Sequence, residues 1–304
     1  MNPSLQLPAF AKINLSLRVL GLRRDGYHEL DTIFQTISLH DSIKFRATTD
    51  SEIRLTCDDR QLATDTQNLV MRAANALQQR FATPQGALIR LEKRIPSEAG
   101  LGGGSADAAV TLLALAQLWK LAADRRALLE IAANLGADVP FFFCGGTARG
   151  TGTGNTIARM PDAPEKFLLI IKPKAGISTA DAYRALDERS LTSTNSKTIL
   201  SSSHWAGSFD NAGLVTLEND FESVAFELEP EIARAKAALL GVGALAAMLA
   251  GSGSAVFGLF DSEDAQRRAI QALEIETGWR VFPCKMVGRD EYQNAFGDLR
   301  QLLT

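Results

Sequence analysis

Pro96-Ser97-Glu98-Ala99-Gly100-Leu101-Gly102-Gly103-Gly104-Ser105 runs straight into Ser105–Trp119, a segment apolar nearly all round. The apolar segment predicts a buried helix, and the glycine-rich stretch predicts the loop that opens it. Glycines let a backbone approach a ligand closely and take positive φ. Successive N–H groups in such a loop form a nest for an anion. The helix adds orphan N–H donors and a partial positive charge at its start. Together they suit the phosphates of a nucleoside triphosphate. No Gly-Lys-Ser/Thr ends the loop, so it is not a Walker A motif. It is not a dinucleotide fingerprint either, because the third glycine is misplaced and no acidic residue closes a strand about 20 residues on. A glycine hinge that lets a helix pack close to a sheet is the alternative.

Upstream of the loop, residues 9–20 and 31–46 are rich in β-branched and aromatic types and predict two strands around the turn Arg23-Arg24-Asp25-Gly26. Leu69, Ala73, Leu77 and Phe81 recur at helical spacing, which predicts a helix over 67–81. Ala87–Ile95 reads as a strand closed by Pro96. Downstream, a helix is expected from an Asp124 N-cap to Leu135, with Gly136 as C-cap. Gly145–Gly154 holds five glycines in ten residues and reads as a loop or a tightly bent strand. Strands over 167–172, 254–260 and 279–287 and a helix over 262–276 follow. Residues 190–213, rich in Ser, Thr and Asn, read as a mobile surface excursion. The class is α+β in two domains, divided near Pro161-Asp162-Ala163-Pro164 into 1–164 and 165–304.

Composition narrows the function. In 304 residues, 46% are apolar and 22% charged, enough apolar surface to order the chain. The 32 basic against 35 acidic residues give a net charge of −3, which does not favour nucleic acid as a partner. Cys57, Cys144 and Cys284 are odd in number and far apart, so neither a disulfide framework nor a zinc site is expected, and a reducing cytoplasm fits them. The first 17 residues lack a basic leader, and Lys12 interrupts their apolar run, so no secretory signal is expected. Ala237–Phe260 carries no formal charge and is long enough to span a bilayer, but its glycines divide it into a helix, a turn and a strand.

Four further motifs carry polar groups where apolar ones are expected. In Ala11-Lys12-Ile13-Asn14-Leu15, Lys12 and Asn14 share one face of a strand, either in a site or on a solvated edge. In Gly136-Ala137-Asp138-Val139-Pro140, Asp138 precedes three phenylalanines, so it is either a desolvated carboxylate needing a cation, with Lys12 a candidate, or a turn residue. In Gly26-Tyr27-His28-Glu29, the Tyr-His pair is able to stack on a base and bond its edge, or is ordinary surface. Gly251-Ser252-Gly253-Ser254, at an expected helix-to-strand turn, is a second glycine loop facing the phosphates or a plain tight turn.

In this order, PAFAKINLSLRVLGLRRDGYHELDT, KRIPSEAGLGGGSADAA, LGADVPFFF, KPKAGISTADAY and AGSGSAVF resemble the small-molecule kinases of the galactokinase, homoserine kinase, mevalonate kinase and phosphomevalonate kinase superfamily. The resemblance covers nearly the whole chain apart from 190–213. DGYHEL and the triple glycine after Gly100-Leu101 match the branch whose members phosphorylate the 2-hydroxyl of 4-diphosphocytidyl-2-C-methylerythritol, on the non-mevalonate route to isoprenoid precursors. The resemblance implies ATP and Mg2+ as cofactors and a cleft between an N-terminal ATP-binding α+β domain and a C-terminal ferredoxin-like α+β domain. It implies catalysis by Asp138 as general base with Lys12 beside it. ATP contacts are implied for Asn68, Leu69, Pro96, Gly100, Leu101, Gly102, Gly103, Gly104, Ser105 and Ala106, and substrate contacts for Asn14, Tyr27, His28 and Tyr183, the two tyrosines on opposite faces of the cytosine. Small-molecule substrate and ATP are the expected partners, without nucleic acid or membrane, in a cytoplasmic monomer or homodimer.

The chain departs from the family pattern at two places. Ala106 stands where a second serine is common, and Gly152-Thr153-Gly154-Asn155 lacks a common acid. Two rival readings are a kinase for another small alcohol and a non-catalytic nucleotide-binding protein. The first lacks a use for the base-stacking aromatics, and the second lacks a use for Lys12 with Asp138.

Overall fold

The computed structural model describes residues 4–174, 176–192 and 217–304. The expected Ser-rich excursion lies, from residue 193 onward, outside the described residues.

Two long strands organise the first sheet. β1 (Ser4–Leu22) and β2 (His28–Thr48) pair antiparallel along most of their length. Both exceed their expected spans, because the polar residues that ended the sequence reading still alternate on the pleat. β3 (Ile53–Cys57), α1 (Leu69–Phe81) and β4 (Gly86–Glu92) follow. Asn68 caps α1, its side-chain oxygen accepting from the Val70 N–H. β3 is five residues on a half-exposed edge, too short and polar for a sequence signal. α2 (Gly103–Leu118) lies across β1 and β2, buried nearly all round as its composition predicts. α3 (Arg125–Leu135) begins at the expected Asp124 cap. A single turn of 3-10 helix, Val139–Phe143, then inserts its three phenylalanines into the core.

The glycine-rich run after it follows the bent-strand alternative: it is β5 (Thr147–Gly152) and the turn of a hairpin with β6 (Thr156–Arg159). β5 pairs with β2, and the main order of this sheet is β3-β4-β2-β1-β8, where β8 (Glu218–Asn219) adds in parallel to β1 at Ser16 and Leu17.

The second sheet is built from β7 (Phe167–Lys172), β9 (Ala246–Leu249), β10 (Val256–Phe260) and β11 (Arg280–Lys285). α4 (Thr179–Thr192), α5 (Glu222–Leu228), α6 (Pro230–Gly241) and α7 (Glu263–Ala272) lie between these strands in the chain. The order β11-β7-β10-β9, all antiparallel, is ferredoxin-like. β9 went unread, because Ala and Leu runs serve a helix as well as a strand. Residues 250–255 therefore turn strand to strand, not helix to strand. After β11, α8 (Arg289–Asn294) and a final 3-10 turn return to the first core, where Tyr292 donates to the Phe142 carbonyl. The architecture is α+β in two domains with a cleft between them.

The two sheets meet at the glycine loop. Ser254 N–H donates to the Glu98 carbonyl (3.2 Å), Ala255 N–H to the Ala99 carbonyl (3.3 Å) and Lys12 N–H to the Leu101 carbonyl (2.9 Å). At Gly100, with φ +74°, a Cβ would fall 1.8 Å from the Ala250 carbonyl oxygen, so the two backbones touch because no side chain intervenes. Gly100→Ala should lower unfolding free energy by about 2–5 kcal/mol, from left-handed backbone cost plus overpacking. The urea midpoint measures this, and an unchanged midpoint would contradict the contact.

Candidate active site

A cleft of ≈ 570 Å³ opens between the sheets, in the range of small-ligand sites. It is lined by Lys12, Asn14, Thr32 and Phe34 from β1 and β2, by Pro96–Gly104 of the loop, and by Asp138, Tyr183 and Phe221.

Lys12 and Asn14 stand between two register shifts in the β1–β2 ladder, at Phe10/Lys12 and Asn14/Ser16. Such bulges re-aim side chains. Lys12 is 4% exposed, which removes the solvated-edge alternative. Its ammonium donates to Asn14 Oδ1 (2.9 Å) and pairs with Asp138 Oδ2 (3.2 Å). Asn14 Nδ2 in turn donates to Thr32 Oγ1 (2.7 Å), whose hydroxyl donates to the Ser16 carbonyl (2.7 Å). This chain of bonds fixes Lys12 from beneath. Asp138 makes no side-chain cap bond to the 3-10 turn it precedes, so the turn reading does not account for it. Its side chain is one-third exposed, open to a ligand in the cleft.

The loop accommodates the lysine as well as a ligand. A Cβ at Gly102, φ +71°, would come within 3.0 Å of Lys12 Cγ and 3.1 Å of the Phe142 ring. Gly102 is also the N-cap of α2 and has no side chain to satisfy the helix's first N–H groups. Gly103 and Gly104, which carry the first of those donors, line the cleft. Asn68 and Leu69 reach the same cleft from the start of α1. Ser105 and Ala106, also expected here, lie behind the lining, and Ala106 is fully buried.

Tyr183 lines the cleft, half-buried, its ring edge-on to Phe221 (4.8 Å, 87°) and stacked on His28 (4.5 Å, 23°). Burial, with the Asp138 and Asp187 carboxylates adding, pushes its phenol up to about 12, so it stays neutral. The imidazole of His28 bonds Asp187 on α4. Tyr27 is 66% exposed at the turn and does not line the cleft. The structure thus brings Tyr183 to His28 and leaves Tyr27 exposed on the turn beside them.

Sequence reasoning missed a second charged cluster. Lys93 pairs with Asp41 and with Asp107 Oδ2 (2.9 Å), all three side chains at most 8% exposed. Asp41 also accepts from the Arg94 and Ile95 N–H groups, which sets the strand's exit into the loop. Asp107 is the only ionisable residue in α2, a signal present in the sequence and passed over. Two carboxylates share one ammonium, and Asp107 Oδ1 has no partner. Burial, opposed by Lys93, pushes the Asp107 carboxyl up to about 7.

That shift has a stability consequence. Folded Asp107 keeps its proton to about pH 7, whereas the unfolded carboxyl loses it near 3.8. The folded state therefore binds more protons between these values, and this group's contribution to stability falls as pH rises through that window. The melting-temperature advantage of Asp107→Asn over wild type should grow from pH 4 to pH 7 and level off above. A pH-independent difference would contradict the buried, raised carboxyl.

Comparisons with known proteins place the chain in a family. Residues 68–146 match the GHMP kinases N terminal domain, and residues 204–278 match the GHMP kinases C terminal family. A 4-diphosphocytidyl-2-C-methyl-D-erythritol kinase of Solibacter usitatus is 42% identical over 290 residues, 94% of this chain and 90% of that protein. One of Pelotomaculum thermopropionicum is 42% identical over 263 residues, 86% of this chain and 91% of that protein. A crystal structure of 4-(cytidine 5'-diphospho)-2C-methyl-D-erythritol kinase superposes with a TM-score of 0.77 at 33% identity, covering 93% of this chain and all of that one. The homoserine kinase of Cytophaga hutchinsonii, 21% identical with a TM-score of 0.68 over 96% of this chain and 97% of its own, shares the fold. With an N-terminal and a C-terminal match and full-length relatives at this identity, the chain belongs to the 4-diphosphocytidyl-2-C-methyl-D-erythritol kinase family of the GHMP kinases.

Proposed function

We propose that the chain transfers the γ-phosphoryl group of ATP to the 2-hydroxyl of 4-diphosphocytidyl-2-C-methyl-D-erythritol, a step towards isoprenoid precursors. The observation that carries this is the Lys12–Asp138 pair at 3.2 Å, lining one cleft with the start of α2 and with Tyr183, which stacks on His28. Phosphoryl transfer asks a protein mainly for positioning and charge stabilisation. Gly100–Gly104 and the start of α2 would hold the phosphates, and Asn68 and Leu69 the adenine side. Asp138 would accept the hydroxyl proton, and Lys12 would offset charge on the transferring group. Asn14 and Thr32 hold Lys12 in place.

Along β2, Thr32, Leu30 and His28 share one face, which puts His28 roughly 13 Å beyond Thr32 at about 3.3 Å per residue. A substrate spanning both ends needs an extended linker, such as a diphosphate, between its alcohol and its base. Homoserine and mevalonate have no group to reach Tyr183 and His28. Base stacking is assigned to Tyr183, with Tyr27 a neighbour able to cover the base from the turn. Among the described residues no three His, Cys, Asp or Glu side chains gather around a metal site. Mg2+ held on phosphates needs only one or two protein carboxylates, and Glu98 and Asp107, with its unpartnered oxygen, fit that need. Such an ion would neutralise phosphate charge.

We place the domain division at residue 164, because the second sheet starts at Phe167, with the tail after β11 returning to the first core. Free Cys57, Cys144 and Cys284 support a reducing, cytoplasmic setting, and among the described residues no helix is long and apolar enough to cross a membrane.

ADP release with a panel of alcohols tests the reading. Turnover is expected with the cytidyl substrate and not with homoserine or mevalonate. Asp138→Asn should lower kcat about 10²–10⁴-fold with little change in KM. A variant keeping a third of wild-type kcat would remove Asp138 as the base.

A further inference from the structure

The contact between His28 and Asp187 joins the two domains and has no part in the chemistry above. His28 opens β2, and Asp187 lies 159 residues away on α4. His28 Nε2 and Asp187 Oδ1 are 2.8 Å apart, with the imidazole 10% exposed and the carboxylate 47% exposed. A carboxylate only accepts, so Nε2 carries the proton. In the neutral ring Nδ1 is then the acceptor. The ring plane is held too, since Tyr183 stacks beneath it at 4.5 Å and 23°. With rings in contact at about 3.6 Å, that separation means an offset of roughly 2.5–3 Å, which leaves part of the Tyr183 face uncovered. A base stacked on that part would lie beside the imidazole, within about 23° of its plane, with edges facing.

We propose that Asp187 is a positioning residue that selects the cytosine handle by fixing His28 as an Nδ1 acceptor. Cytosine presents an exocyclic amine, a donor, where uracil presents a carbonyl oxygen. The amine satisfies the Nδ1 lone pair. The uracil oxygen sets one lone pair against another, and a site built around a hydrogen bond rejects the analogue that cannot make it. This rests on the functional reading above and adds to it the origin of base selection.

Two measurements test it on the full-length chain. Two-dimensional ¹H–¹⁵N spectra of the histidine side chains, with His28 assigned from His28→Gln, should show an Nε2–H, unprotonated-Nδ1 ring. Asp187→Leu should lose that preference, and Asp187→Asn, which keeps an acceptor oxygen, should retain it. In steady-state kinetics, wild type should favour the cytidyl substrate over its uridyl analogue by roughly ten-fold or more in kcat/KM, the scale of one well-placed hydrogen bond. Asp187→Leu should bring the two within about three-fold, with the loss in KM for the cytidyl substrate and none in KM for ATP. Asp187→Asn should keep most of the preference. In a His28→Gln background, Asp187→Leu should change the ratio no further. Equal losses on both substrates, or an unchanged His28 tautomer in Asp187→Leu, overturn the proposal alone. A wild type that leaves the cytidyl substrate unphosphorylated overturns the functional reading, and this inference with it.

Discussion

Three backbone hydrogen bonds hold Glu98–Leu101 between the sheets, two from the turn after β9 and one from Lys12. Everything at the site depends on that clamp. It sets where α2 begins, and so where its free N–H groups point. The same residue that donates its backbone N–H to the loop, Lys12, sends its side chain under Gly102 to Asp138. Loop position and ammonium position are therefore one constraint. The glycines follow from it: Gly100 lets the second domain's backbone touch the loop, and Gly102 lets the Lys12 stem pass.

Charge is arranged around the clamp in two tiers. The upper tier, Lys12 with Asp138, is open on the carboxylate side, which suits the proton acceptor proposed for Asp138. The lower tier, Lys93 with Asp41 and Asp107, is almost buried, with Lys93 and Asp107 reaching the cleft lining. A buried ion pair is weak evidence for stability, and one with a surplus carboxylate is a cost. Its place beneath the loop, with Asp41 bonded to the backbone of Arg94 and Ile95, gives the loop a rigid base.

Much of this was legible before the structure. The loop, the mostly apolar α2, the Asp124 cap and strands β1, β2 and β4 follow from composition and period. Lys12 and Asp138 stood out because each interrupts an apolar run. What escaped did so for physical reasons. β3 and β9 are short, and Ala-Leu runs do not distinguish helix from strand. The glycines of 145–154 allow a hairpin as readily as a loop. The Tyr183–His28–Asp187 contact brings together residues more than 150 positions apart, and no local pattern in β2 announces its partner on α4. Tyr27, adjacent in sequence to the half-buried His28, is 66% exposed on the turn before β2.

The clamp's proposed role is to deliver the γ-phosphate and the substrate hydroxyl to Lys12 and Asp138 together. A crystal structure of the full chain with a non-hydrolysable ATP analogue and the cytidyl substrate tests it directly. The hydroxyl oxygen should lie about 3–3.5 Å from the γ-phosphorus, within hydrogen-bond reach of Asp138, with the cytosine at His28 and Tyr183. A hydroxyl bound out of reach of Asp138, or phosphates seated away from Gly100–Gly104, would contradict it.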